Sequence, residues 1–166
     1  MQKLILAMSV LLATMSMAKA EINELYTAET RPEEYCLALN IYYEARGSNR
    51  ADRLAVADVV LNRVVDSRYP NTVCEVVKQG QQDANGNMIR HRCQFSWYCD
   101  GKNDRPQDED MWADAQQLAY LIYSHGDYRG LTEGATHYHA TYVSPRWARE
   151  LQLVGRIGSH VYYRWE

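Results

Sequence analysis

The run Asn40-Ile41-Tyr42-Tyr43-Glu44-Ala45-Arg46-Gly47 sets one carboxylic acid among apolar and aromatic neighbours. Helical spacing places Glu44 in the last turn of a helix, with Gly47 where a left-handed cap is expected. A carboxylate there faces the negative end of the helix dipole and loses part of its water shell. Both effects disfavour the charged form and raise the pKa. An acid that keeps its proton near neutral pH is suited to protonating a leaving oxygen, a glycosidic oxygen for example. The duller alternative is a surface glutamate paired with Arg46 or another base.

Other residues bear on the same chemistry. Glycosidases usually employ two carboxyl groups, and Asp58, Asp66 and Asp100 are the available partners for Glu44. Asp58 falls inside a helix and the other two in solvated stretches, so a single-acid scheme fits better. A rival reading is a zinc-dependent peptidase or amidase: His137 and His139 alternate along a strand as an H-x-H pair, their rings face one side, and His160 could join them. No H-x-x-x-D element precedes the pair, and no metal or other cofactor is assigned. A third reading is a secreted, non-catalytic module that binds glycan; it leaves the apolar setting of Glu44 unexplained.

These residues must be positioned by a fold, and the N-terminus says where it works. Lys3, an apolar run from Leu4 to Met17, and Ala18-Lys19-Ala20 read as a secretory signal peptide over residues 1–20. The run is short for a membrane span, so no stable insertion is expected after cleavage. Localisation is then periplasmic or secreted. Residues 21–31 form a polar lead-in, and 32–166 suit one catalytic domain, expected to be a monomer. The leader carries Lys3 and Lys19 and no acids, so its removal takes the formal charge from −3 to −5. That balance argues against nucleic acid as a partner. Thirteen tyrosines and four tryptophans against one phenylalanine give polar-edged rings that suit sugar grooves as well as cores.

Cys36, Cys74, Cys93 and Cys99 are even in number, as a disulfide framework in an oxidising compartment requires. Three pairings are possible; Cys93–Cys99, pinning the loop Gln94–Tyr98, is favoured. Arg31-Pro32-Glu33-Glu34 opens the first helix, with Leu37, Ile41 and Glu44 on one face. Ser48 or Asn49 caps a second helix through Arg63, whose broad apolar surface (Leu54, Ala55, Val59, Leu61, Val65, with Val56, Val60 and Val64) marks it as central. Thr72 caps a short helix to Lys78. Residues 81–92 form a hairpin or an irregular flap. A third long helix turns Met111, Ala115, Leu118, Ala119 and Ile122 inward and ends near His125-Gly126. Residues 135–143 and 154–163 read as strands. The class is α+β, mainly helical with a small C-terminal antiparallel sheet.

The blocks Tyr43-Glu44-Ala45-Arg46-Gly47, Leu54 to Val64, and Tyr69-Pro70-Asn71-Thr72 resemble the bacterial cell-wall hydrolases of the spore-cortex-lytic (SleB-like) type. Cys93-Gln94-Phe95-Ser96-Trp97, Ala135-Thr136-His137-Tyr138, Trp147 and Ile157 to Tyr163 follow in the same order. The resemblance spans nearly all of residues 35–164. It implies a lysozyme-like catalytic domain acting on peptidoglycan glycan strands, with Glu44 as the acid on a helix lining a sugar groove. Many relatives carry a second glutamate after the glycine and a Gly-Gln pair before the second helix, where this chain has Ser48, Asp52 and Arg53.

Under that resemblance Glu44 would protonate the oxygen between N-acetylmuramic acid and N-acetylglucosamine. It would then accept the proton of the muramoyl C6 hydroxyl, leaving a 1,6-anhydro end; water in place of that hydroxyl would give hydrolysis. Gln94 and Ser96, spaced by two, could orient an N-acetyl group or the attacking hydroxyl, or simply close their own loop. Tyr138 could support Glu44, stack on a sugar, or serve as a core tyrosine. Asn62 and Arg63 read as structural.

Overall fold

A computed structural model describes residues 27–166. The signal-peptide segment lies outside the described residues, as does most of the lead-in. The elements run α1 (Pro32–Ala45), α2 (Arg50–Val65), α3 (Val73–Val77), β1 (Gly80–Gln82), β2 (Met88–Cys93), a 3-10 turn (Ser96–Cys99), α4 (Glu109–Ser124), β3 (His137–Ala140), a second 3-10 turn (Arg146–Arg149), β4 (Gln152–Ile157) and β5 (His160–Arg164).

α1 begins as its sequence dictates, with proline at the first turn and two acids, Glu33 and Glu34, at the positive end of the dipole; Glu33 reaches across to accept the Val73 amide of α3. Its end differs from expectation. Gly47 is not left-handed; Arg46 stays helical and the Ser48 amide bonds to the Ala45 carbonyl at 2.9 Å. The tight turn delivers the chain directly to Asn49, whose side chain accepts the Asp52 amide at 2.9 Å and caps α2. A left-handed residue is therefore not required.

The breadth of the apolar surface on α2 has a structural reason: the helix is shared by two cores. Leu54, Ala57, Val60 and Leu61 pack with Leu37, Ile41, Val76, Leu118 and Ile122 in the helical core. Ala55 and Val59 pack with Ala135 and Tyr162 beneath the sheet. Val65, expected on that surface, is instead 77% exposed at the helix end. α1 packs against α2, α3 and α4. Cys36–Cys74 ties α1 to α3, and the favoured Cys93–Cys99 bridge is present. Residues 80–93 form the hairpin β1–β2.

The C-terminal sheet is antiparallel in the order β3-β5-β4. The single strand expected over 154–163 is two strands, β4 and β5, joined by a turn at Gly158-Ser159. Gly158 has φ +56°, and a Cβ there would lie 2.7–2.8 Å from Asp52. Glycine is thus needed twice, for the turn and for the close approach. In register, Tyr138 pairs with Tyr162 and Ala140 with His160 on one face; His137 pairs with Tyr163 and His139 with Val161 on the other.

Candidate active site

Glu44 sits one residue from the end of α1, half-buried, where α1, α2 and the sheet meet. Its Oε2 accepts the Tyr138 hydroxyl at 3.0 Å. Burial raises the Glu44 pKa, opposed by the Tyr138 hydrogen bond and by the positive influence of His160 and Arg63. Tyr138 is pushed well above the usual phenol range by burial and by the neighbouring acid, so it remains a donor.

Arg63, read from sequence as structural, is part of this arrangement. It is 5% exposed and anchored by its Nε donating to the Thr136 carbonyl at 2.8 Å. Its guanidinium lies over the rings of Tyr69 and Phe95, at 5.3 and 5.2 Å from their centroids. Burial lowers its pKa, yet a guanidinium stays charged. It is a fixed positive charge near Glu44. Asn62 is structural as expected, donating to Thr132 and the Ala135 carbonyl.

Phe95 and Trp97 are buried while Gln94 and Ser96 are exposed, so the expected alternation holds although Ser96 opens a 3-10 turn. Phe95 lies on Arg63 and Trp97 stacks on Tyr43 at 4.8 Å, next to Glu44 in the chain. The segment carrying Gln94 and Ser96 therefore borders the acid. Among the described residues, no hydrogen bond joins either side chain to Glu44.

The other carboxylates are committed elsewhere. Asp58 is buried and accepts from Arg129, the Gly130 and Thr132 amides and the Thr132 hydroxyl, pinning the loop before β3. Asp66 is held by Arg68 and Asp100 by Lys102. The histidines also depart from the metal reading. His137 and His139 do share a face, under Trp147 at 5.3 and 5.7 Å, but His160 points to the opposite face against Tyr138. His139 is engaged by the Ala140 carbonyl and the Tyr163 hydroxyl. Burial pulls His137 down to about 4. Among the described residues, no group of three or more His, Cys, Asp or Glu could hold a metal.

What sequence reasoning missed is Asp52. It accepts the Ser159 amide (3.0 Å) and hydroxyl (2.7 Å), His160 Nδ1 (2.9 Å) and the Tyr162 hydroxyl (2.8 Å). These donors push its pKa far below the usual carboxylate range, against the effect of burial. The partners are about a hundred residues away in sequence, and no spacing rule connects them.

Residues 47–163 match the cell wall hydrolase family. The chain belongs to that family. It is a peptidoglycan-degrading enzyme of α+β, lysozyme-like fold. This cell wall hydrolase is similar in structure to the catalytic domain of the Bacillus cereus SleB protein, at 22% identity and TM-score 0.56, over 80% of this chain and 91% of that one. It is also similar to the catalytic domain of the germination-specific lytic transglycosylase SleB from Bacillus anthracis, at 21% identity and TM-score 0.51, over 84% and 97%. A comparison with curated proteins found no match. The family match starts three residues after Glu44, so the case for that residue rests on its geometry. Peptidoglycan lies outside the cytoplasm, and no helix of the described residues is long and apolar enough to cross a membrane.

Proposed function

We propose that this cell wall hydrolase cleaves the glycan strand between N-acetylmuramic acid and N-acetylglucosamine, with Glu44 as its single general acid and base. One observation carries the reading: a half-buried glutamate with a raised pKa, oriented by a tyrosine hydroxyl. Glu44 gives its proton to the bridging oxygen as the C1–O bond breaks. The resulting carboxylate is stabilised by Tyr138 and by the charge of Arg63. It then takes the proton of the muramoyl C6 hydroxyl as that oxygen bonds to C1, closing a 1,6-anhydro ring and restoring the acid. Gln94 and Ser96, exposed on the segment that borders the acid, orient the N-acetyl group or the attacking hydroxyl. The Bacillus anthracis relative is named a lytic transglycosylase, which favours this outcome over hydrolysis. The enzyme acts as a monomer without a cofactor, in the periplasm or secreted after loss of residues 1–20.

The test is Glu44→Gln assayed on purified murein sacculi, with mass spectrometry of the released muropeptides. Anhydro ends differ from reducing ends by one water. The variant should fold and bind sacculi while losing nearly all turnover. Substantial residual cleavage defeats the assignment, and binding without turnover by the unaltered protein would favour a glycan-binding module.

A further inference from the structure

A buried polar cluster around Asp52 takes no part in the proposed chemistry yet reaches the acid. Asp52, in the first turn of α2, collects donors from Ser159, His160 and Tyr162 on the β4–β5 turn and on β5. Gly158 is shaped to allow this approach. An ionised carboxylate only accepts, so the Asp52 bond fixes the proton of His160 on Nδ1. The other side of the ring meets Tyr138: the two centroids lie 5.1 Å apart in an edge-on contact at 77°. Tyr138 also touches Tyr162 at 5.7 Å and donates to Glu44. A buried string thus runs Asp52–His160–Tyr138–Glu44, from the start of one helix to the end of another.

We propose that His160, anchored by Asp52, is a positioning residue for Glu44: it holds the Tyr138 ring against the acid and sets an imidazole beside it. This rests on the assignment of Glu44 as the acid. Glu44 is faced by Tyr138 from β3, His160 from β5 and Arg63 from α2. His160 is faced by Asp52 from α2, Tyr138 from β3 and Tyr162 from its own strand. Arg63 keeps its charge and Tyr138 its proton. A protonated imidazole favours the carboxylate that Glu44 becomes after donating its proton. His160 therefore opposes the rise that burial imposes on the Glu44 pKa.

The deciding variant is His160→Gln, whose amide can still donate to Asp52 but cannot carry charge. The readouts are carbon NMR titration of the Glu44 carboxyl, the pH profile of kcat on solubilised glycan strands, and thermal unfolding to show that the fold is kept. In His160→Gln, Glu44 should titrate at higher pH than in the unaltered enzyme. The alkaline limb of kcat should move up with it, kcat should fall several-fold, and KM should stay unchanged. A folded variant with both the Glu44 titration and the limb unmoved overturns the proposal. Should that variant fail to fold, His160→Asn, which keeps a side-chain amide toward Asp52, is judged by the same two readouts, and both unmoved overturns the proposal. Activity retained by Glu44→Gln would defeat the acid assignment instead, while the Glu44 titration still judges this inference.

Discussion

Two acids of this molecule, buried Asp52 and half-buried Glu44, sit at opposite kinds of helix end and are held in opposite ways. Asp52 lies in the first turn of α2, at the positive end of the dipole, with donors from three residues. Glu44 lies in the last turn of α1, at the negative end, with one tyrosine hydroxyl. Both are desolvated, yet the Asp52 pKa falls and the Glu44 pKa rises. Burial alone does not decide whether a carboxyl keeps its proton; the number of donors and the local dipole do. One site is built to hold charge, and at the other burial opposes it.

The comparison breaks most readily at Glu44. General acid catalysis is typically worth about 10²–10⁴-fold, so Glu44→Gln should lower turnover by at least that range. Assay on sacculi checks this. Asp52→Asn should act chiefly on stability. Hydrogen bonds to a charged group contribute about 1.5–3 kcal/mol each, and the isosteric amide leaves several donors poorly matched. A loss of about 2–4 kcal/mol is expected by denaturant unfolding. Because the folded-state pKa of Asp52 is depressed, its contribution is present above the unfolded value near 3.9 and is lost as pH falls through the folded one. The gap between the unaltered protein and Asp52→Asn should therefore be constant near neutrality and narrow only in acid. A gap unchanged down to pH 2 would contradict an ionised Asp52.

These two acids also mark how far sequence could be read. The helix-end setting and raised pKa of Glu44 were legible because their cause is largely local: apolar neighbours and a helix end lie within a few residues of it. The caps at Asn49 and Thr72 and the Cys93–Cys99 loop were legible for the same reason. Asp52 was not, since its partners arrive from β5, and His160 looked like a metal ligand while its face of the strand was unknown. The hairpin at Gly158-Ser159 did carry a local signal, a two-residue Gly-Ser step, which the strand-forming Val, Ile and Tyr residues on both sides of it obscured. Arg63 needed the fold outright: only packing against Tyr69 and Phe95 explains a buried guanidinium.

A finer prediction concerns the single donor to Glu44. Tyr138→Phe removes a bond made to the charged form, so the Glu44 pKa should rise further and the alkaline limb of kcat should move up. Lost orientation should cost roughly tenfold in kcat, about the worth of one hydrogen bond to a charged group. A pH profile identical to that of the unaltered enzyme would show that Tyr138 is only a core tyrosine.

The smallest effect tests the contrast from the stability side, where the two acids should have opposite signs. The folded-state pKa of Glu44 is raised above its unfolded value near 4.3. Between those values the unfolded chain releases its proton first, so folding is progressively opposed as pH rises. Glu44→Gln cannot ionise and escapes that cost. The variant should thus be slightly more stable than the unaltered protein at pH 8, by less than Asp52→Asn loses, and the advantage should vanish below about pH 4. Denaturant unfolding at both pH values reads it directly. A variant that is less stable at pH 8 would mean that Glu44, like Asp52, is held as a charge, and the distinction between the two acids would fail.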